Sequence, residues 1–376
     1  MKNIYDSQRR ELARQYHRRK DIYNLISKIF MISFLLVFFA KSIELKIFNL
    51  INIFTQIYEI KIILFVTVIY LLFALINNII NYFLFYRLNR KYELSNQNSR
   101  EWLIDQVKSL ILSLIFIYLA SRTFLLLINN WPNFWWLIFT IIASIFTVLI
   151  TFILPEVLLP IFYKLEPYPD TSLKKQLLNF ISGLDVEVEE IYQINLSSKM
   201  NMANAAVIGL GNTQKIILGD TLDEKYSNDE IEAILAHEIA HYVNGDIFKN
   251  LLIQPVTMLI TTILIYQIWP FLISWQGYES ITSIYVLPLF WLTWGLLYWL
   301  LSPIQNYISR KYERAADSFS LKKIDDPSSL GTGLAKIADE SLSKLNYNFY
   351  ELLFKASHPS IGERVENALE CERQEK

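Results

Sequence analysis

The sequence predicts a membrane α-helical bundle of about six transmembrane helices that carries a small cytoplasmic α+β domain. Three observations lead to this fold class. The composition is 53% hydrophobic and only 19% charged, whereas soluble domains average about 45–50% apolar and roughly 25% charged residues. Six apolar stretches are long enough to cross a bilayer. The polar segment after the fourth stretch alternates between helical and strand-like patterns.

The apolar stretches match the roughly 20 helical residues that about 30 Å of hydrocarbon requires. They run near Leu25–Ile43, Ile62–Phe85, Leu110–Ile128, Phe134–Leu154, Leu251–Trp275 and Ile281–Leu301. Tryptophans stand near several of their ends, where amphipathic rings favour the membrane interface. No small-residue cleavage site follows the first stretch. We therefore expect an uncleaved anchor there, not a signal peptide.

The distribution of Lys and Arg predicts the orientation of the bundle. Basic residues are concentrated before the first stretch and between the second and third, and the loops after the third and fifth stretches contain none. The positive-inside rule then places the N-terminus, the segment Leu165–Asn250 and the C-terminal region in the cytoplasm. The absence of organelle-targeting signals makes a prokaryotic plasma membrane the expected location. The formal net charge of −1 gives no reason to expect a nucleic-acid partner.

The spans divide the chain into five predicted segments. These are a basic N-terminal segment at 1–22, a four-span bundle at 23–160, a cytoplasmic core at 161–250, a two-span hairpin at 251–302 and cytoplasmic helices at 303–376. Two polar details have structural interpretations. Cys371 is the only cysteine, so an internal disulfide is excluded. Arg122 lies toward the outer end of the third span, where snorkelling is favoured over an intramembrane function.

The cytoplasmic core reads as an α+β unit. Thr171 or Ser172 begins an amphipathic helix, and Val186–Ile194 alternates like a strand. A second strand pair is predicted at Ala205–Leu210 and Lys215–Leu218, around a short turn. After this pair comes a capping box, in which a serine and a glutamate three residues later open a helix that a glycine can close. The three residues are Ser227, Glu230 and Gly245.

That last helix carries the motif His237-Glu238-Ile239-Ala240-His241. Residues four apart share a helix face, so both imidazoles can reach one metal ion. Glu238, beside the first histidine, can reach a water on that ion. This spacing is the one that a zinc hydrolase needs. The alternative is a helix with two incidental histidines, but the chain contains only four histidines in total.

A catalytic zinc needs a third protein ligand and an open position. The best candidate is Glu313, with Asp317 one turn later to support a ligand. Two predicted spans separate His241 from Glu313, and an even number returns the chain to the same side of the membrane. The alternative is an ordinary solvated helix face, because basic residues flank this glutamate. They are Arg310, Lys311 and Arg314.

The ordered motifs resemble the membrane zinc-peptidase family that includes CaaX prenyl protease 1 and the heat-shock protease HtpX. The shared features are the histidine motif with Asp246, the Glu313 and Asp317 pair, and Ser357-His358-Pro359-Ser360 with Arg364. Other segments are similar to the prenyl-protease branch in particular. They are Pro160–Pro167, Asn204-Ala205 with Gly209, and Lys215–Leu222.

The resemblance implies a gluzincin-type domain with one zinc ion per chain, bound by His237, His241 and Glu313, and with Glu238 as the base. It further implies that two carboxylates orient the ligands and that four residues line the site, where they contact substrate or the developing oxyanion. These are Asp246 and Asp317, then Asn204, Ala205, His358 and Arg364. Without the resemblance, Asp246 is interpreted as a turn residue after the helix, His358 as a loop residue and Arg364 as a surface residue.

The predicted function is that of a membrane-embedded zinc metalloendopeptidase acting on peptide or membrane-protein substrates. Two readings use the same chemistry: C-terminal processing of lipidated proteins, and HtpX-like removal of damaged membrane proteins. A third is a non-catalytic membrane scaffold or transporter that has kept the fold. Six spans are one fewer than the seven of prenyl protease 1 enzymes, so the presence of an intramembrane chamber stays open, as do the substrate and the oligomeric state.

Overall fold

The computed structural model describes residues 4–184 and 190–375. In these residues six helical segments are long and apolar enough to cross a membrane, which confirms the predicted number. They are Ser7–Ala40, Tyr58–Lys91, Ser99–Asn130, Trp135–Phe162, Asp246–Gln276 and Ile284–Lys323. Several continue well beyond the predicted apolar stretches. The same helices therefore link the membrane bundle to the polar domain.

The described helices are numbered in chain order. They are α1 Ser7–Ala40, α2 Ile43–Phe54, α3 Tyr58–Ile80, α4 Arg87–Lys91, α5 Ser99–Asn130, α6 Trp135–Ile153, α7 Leu159–Phe162, α8 Ser172–Ser182, α9 Asn228–Val243, α10 Asp246–Gln276, α11 Leu287–Lys323, α12 Ser328–Glu340, α13 Phe349–Phe354 and α14 Ile361–Glu375. Short π-helical turns join α3 to α4 and α6 to α7. Pro155 lies in the second π-helical turn, where its missing N–H disfavours a regular α-helix.

Aromatic packing fills the core of the membrane bundle. Phe124 stacks on Phe290 with ring centroids 3.8 Å apart, and Trp135 and Trp269 pack edge-on around them. All four side chains are almost completely buried. Many other apolar side chains of the spans are exposed at the surface, as lipid-facing positions require.

The third predicted span contains one charged side chain, that of Arg122. Arg122 forms an ion pair with Glu59 at the start of α3, with 2.7 Å between Nη2 and Oε1. Both side chains are partly exposed, which agrees with a position near the end of the spans. The pairing partner follows from the packing of α3 against α5, which the sequence pattern did not reveal.

The polar domain is built on a four-stranded sheet with the order β1-β2-β4-β3. The strands are β1 Leu165–Pro167, β2 Ile191–Ile194, β3 Ala205–Ile208 and β4 Lys215–Gly219. β3 and β4 pair antiparallel, as predicted, with Ala205 opposite Leu218. β2 pairs parallel with β4, and β1 pairs antiparallel with β2 at the edge opposite β3. The first part of the predicted strand Val186–Ile194 lies outside the described residues.

Helix α9 lies between this sheet and a helical layer. Ile231, Leu235 and Ile239 belong to the apolar core shared with the sheet and α8, while Ala233 and Ala236 pack with α12 and α14. Small alanines allow the backbones of these helices to approach closely. The predicted capping box at Ser227 is present and contributes about 1 kcal/mol. α9 is therefore a rigid support, buried on two sides.

Candidate metal centre

Two histidines on α9 and one glutamate on α11 converge. One donor atom from each of His237, His241 and Glu313 lies within 4.8 Å of the others. His237 Nε2 is 3.3 Å from Glu313 Oε2, and His241 Nε2 is 3.4 Å from Glu313 Oε1. The histidine rings stand edge-to-face with centroids 5.0 Å apart. Both imidazoles therefore present Nε2 to the same carboxylate.

The three side chains fit a zinc ion by their chemistry and their surroundings. Two imidazoles and one carboxylate form a known catalytic zinc set, which leaves a further position open. Glu313 is 6% exposed, and its Oε2 is buried without a hydrogen-bond partner. An orphaned carboxylate oxygen in such a place is costly unless a cation satisfies it. The solvated helix face considered for Glu313 is therefore the wrong interpretation.

Each histidine is oriented by a carboxylate on its other nitrogen. His241 Nδ1 is 2.9 Å from Asp246 Oδ2, and His237 Nδ1 is 2.9 Å from Asp317 Oδ1. Gly245 makes the first contact possible, because its φ of 68° turns the chain sharply between α9 and α10. Such partners fix the tautomer and the ring direction of metal-binding histidines.

Arg364 on α14 holds one of these carboxylates. Its Nε and Nη2 donate to Asp317 at 2.9 and 2.7 Å, which is a bidentate pair. Its Nη1 lies 3.9 Å from Glu313 Oε2, and its side chain is only 10% exposed. The structure thus places Arg364 behind the metal-ligand group as a partner of Asp317.

His358 lies on the open side of the group. Its Nε2 is 3.1 Å from Glu313 Oε1, and its Nδ1 is 2.8 Å from Ser357 Oγ. The side chain is 54% exposed, so it can meet a bound molecule. Desolvation keeps the pKa of His358 below its ordinary value, although Glu313 opposes this effect.

The proton affinities within the site are shifted. Burial alone would lower the pKa of His241, but hydrogen bonds to Glu313 and Asp246 raise it to about 9. Burial raises the pKa of Glu238, and the two neighbouring histidines partly offset this effect. A carboxyl group with a raised pKa is suited to exchange a proton near neutral pH. A metal ion at this site competes with protons for the histidine nitrogens.

Asn204 and Ala205 lie at the free edge of the sheet. Ala205 begins β3, and the carbonyl of Asn204 accepts from the amide of Gly219 at 2.9 Å. β3 packs against α9, so this edge runs beside the histidine helix. None of the hydrogen bonds or ion pairs of the described residues joins Asn204 or Ala205 to the metal-ligand group.

A large cavity is lined by residues close in sequence to parts of the site. Its volume is about 920 Å³, and its lining includes Met202, two residues before Asn204, and Ala356, two residues before His358. Gln106 and Ser109 also line a neighbouring cavity of about 410 Å³. The second cavity in turn shares Met31, Tyr70 and Phe73 with an apolar cavity of about 280 Å³ inside the bundle. Intramembrane space is therefore present with six spans.

Two further polar residues on α11 are buried, and the sequence pattern did not single them out. Arg310 is 5% exposed and donates to backbone carbonyls around α13. Ser320 is fully buried, and its hydroxyl donates to the carbonyl of Ala233 on α9 at 2.8 Å. Both follow the three- or four-residue spacing of Glu313 and Asp317, which would have been the signal for a shared buried face. Lys311 and Arg314 are exposed.

Comparison with known proteins agrees with this geometry. Residues 167–372 match the family model of peptidase family M48, and residues 1–164 match the model of the CAAX prenyl protease N-terminal region with five membrane helices. An uncharacterised metalloprotease of Bacillus subtilis, YhfN, is 27% identical over 75% of this chain and 67% of its own length. CAAX prenyl protease 1 of Saccharomyces cerevisiae is 26% identical over 94% of this chain and 84% of its own length.

A solved structure supports the fold as a whole. The crystal structure of Ste24p from S. mikatae superposes with a TM-score of 0.84 at 23% identity, covering 97% of this chain and 89% of that chain. The likeness therefore extends through both the membrane bundle and the polar domain. The M48 model alone matches more than half of the sequence and includes the histidine motif and Glu313. The chain belongs to peptidase family M48 and is a membrane-embedded metalloprotease.

Proposed function

We propose that the chain is a zinc metalloendopeptidase that cuts extended segments of membrane-associated polypeptides. The observation that carries this proposal is the convergence of His237, His241 and Glu313, with both histidines on a helix that packs against the edge strand β3. A non-catalytic scaffold is disfavoured because all four residues that the chemistry needs are present, namely the three metal donors and Glu238.

The three donors would hold the zinc ion, one per chain. Their nitrogen and oxygen atoms suit zinc, and no described cysteine lies among them. When bound, zinc supplies Lewis acidity, which polarises a peptide carbonyl and makes water more acidic. Asp246 and Asp317 keep Nε2 of both histidines directed at the ion by accepting from Nδ1.

Glu238 would be the general base. It follows the first histidine on α9, and burial raises its pKa, which makes its carboxylate a stronger base. Its carboxylate accepts the proton of the attacking water and later delivers this proton to the leaving amine. Burial on α9 limits the movement of the helix backbone, so little reorganisation is required during the reaction.

His358 would stabilise the negative charge that develops on the carbonyl oxygen. Its exposed position beside Glu313 allows its ring to face a bound substrate. Donors preorganised toward such an oxyanion contribute a large part of catalysis. We assign Arg364 the supporting role of fixing Asp317, since its bidentate pair already uses Nε and Nη2.

An extended substrate would pair with the free edge of β3 near Asn204 and Ala205. Backbone pairing accepts many sequences, so selection would depend on how the substrate reaches the site. The relatives named CAAX prenyl protease 1 suggest C-terminal segments of prenylated proteins. The three cavities share lining residues in series, and the one among the spans is apolar, so they would accommodate a peptide that carries a hydrocarbon group.

Paired reporter peptides test this substrate class. Two unstructured peptides with the same sequence, one prenylated at its cysteine and one not, are offered to the detergent-purified protein. We expect zinc-dependent cleavage of both, with a KM at least about tenfold lower for the prenylated peptide because its hydrocarbon adds buried apolar area. Equal KM values would contradict the prenylated substrate class and favour the broader quality-control role.

The active site would face the cytoplasm of a prokaryotic cell. The Lys and Arg distribution supports this orientation, as do the four spans before α9 and the two spans between His241 and Glu313. A tag inserted at Gly277, which follows α10, is expected to be reached by an impermeant reagent from outside the cell. A tag before Met1 is the control and should stay protected. The reverse pattern would contradict this topology.

A further inference from the structure

The half of α11 that leaves the membrane bundle presents one polar face. Glu313 and Asp317 occupy its centre, within the metal centre. Asn306 and Arg310 extend this face toward the bundle at the same three- or four-residue spacing. These two residues contact none of the three proposed zinc ligands in the ion pairs and hydrogen bonds of the described residues. Their partners lie on α13 and the loop after it.

Both side chains bind carbonyls at the C-terminal end of α13. Arg310 Nη1 donates to Leu352 O at 2.8 Å and to Ala356 O at 2.6 Å. Asn306 Nδ2 donates to Leu353 O at 2.9 Å. The last carbonyls of a helix have no partner within it, so these contacts satisfy groups that would otherwise be orphaned. α11 thereby fixes the end of a helix only six residues long.

The burial of Arg310 is energetically unusual. Arg310 is 5% exposed, and it takes part in no ion pair among the described residues. Burying a cation without a carboxylate carries a desolvation cost that carbonyl hydrogen bonds offset only in part. An apolar side chain would fill the same space without that cost. The arrangement therefore indicates a positional task.

The anchored loop leads directly to His358. Ala356 is 6% exposed and precedes His358 by two residues. The Cα atoms of the two residues can therefore be at most about 7 Å apart. Pro359 restricts the backbone of His358 from the other side. Ser357 Oγ and Glu313 Oε1 then contact the two ring nitrogens. The position of the ring is thus determined within a few residues of the Arg310 anchor.

We infer that Arg310 is a positioning residue for the reaction: by clamping the carbonyls after α13, it holds the His358 ring at the open side of the metal centre. The inference rests on the proposed role of His358 toward the substrate. Arg310 itself touches neither the substrate nor the metal ligands. Its effect is transmitted through Ala356 and the short segment that follows.

Kinetics of single and double variants test this inference. Arg310→Met should lower kcat by about 10–100-fold, with KM within about threefold and zinc content unchanged, since a misplacement of about 1 Å can cost this much. Arg310→Lys keeps a donor for the carbonyls and should lose less than about tenfold. Lys311→Met, the exposed neighbour, is the matched control and should lose less than about twofold.

The decisive comparison uses the His358→Gln background. If Arg310 acts through His358, Arg310→Met should cost less than about threefold there, because the two changes remove the same contribution. An equal loss in both backgrounds would overturn the inference and leave the role of His358 intact. Full activity of His358→Gln alone would instead overturn the proposed role of His358, and the inference with it. If Arg310→Met does not fold, Arg310→Lys completes the same cycle.

Discussion

Glu238→Gln is expected to keep one zinc ion per chain and to lower kcat by about 10³-fold. Glutamine has nearly the same shape, so the α9 helix and its histidines should stay in place. It cannot accept a proton from water, and general base catalysis contributes about 10²–10⁴-fold. Zinc content and cleavage of an unstructured reporter peptide are measured on the same preparation.

A matched control is available on the same helix. Glu232→Gln makes the same chemical change six residues earlier on α9, where the carboxylate accepts a hydrogen bond from Gln176. Its activity should stay within about threefold of the unmodified protein, as expected for a change away from the site. Full activity of Glu238→Gln would show that another group takes the proton.

His241→Ala is expected to remove the metal ion and, with it, cleavage. The His241 ring supplies one of the three proposed protein donors. Zinc affinity should therefore fall by more than the roughly 10–100-fold that is typical of losing an orienting partner. Asp246→Asn, which alters only that partner, should lower zinc affinity within this smaller range. Zinc affinity is measured by competition with a chelator of known strength.

The fourth histidine provides the control for this series. His17 lies on α1, where its Nε2 is 2.7 Å from the carbonyl of Leu342. Glutamine can replace that contact, so His17→Gln should bind zinc as tightly as the unmodified protein. If His241→Ala retained zinc with unchanged affinity, the proposed ligand set would be wrong.

The local parts of the fold were predictable because each depends on neighbours in sequence. The six spans follow from uninterrupted apolar length. The β3–β4 pair and α9 follow from strand alternation and from the Ser227 capping box. β1 could not be predicted, since its three residues become a strand only by pairing with β2. The helix α2 is too short to be recognised as a span and packs between two of them.

The residues of the candidate metal centre likewise differ in how far the sequence predicts them. His237 and His241 were predictable from one helix, and the choice of Glu313 gained support from the parity of the spans. For the burial of Arg310 the sequence offered only the spacing from Glu313 as a signal, and the same helix carries exposed Lys311 and Arg314 beside it. Only the packing of α13 against α11 shows which of these cations is enclosed. Tertiary contacts thus separate the supporting residues from the surface.

Anomalous X-ray diffraction at the zinc absorption edge would show whether the three proposed ligands hold a zinc ion. Crystals of the Glu238→Gln variant preserve the proposed ligands and prevent turnover of a bound substrate. Our account predicts one strong anomalous peak within about 2.0–2.2 Å of His237 Nε2, His241 Nε2 and a Glu313 carboxylate oxygen. A fully occupied zinc peak elsewhere in the molecule, or no zinc peak between α9 and α11, would contradict it.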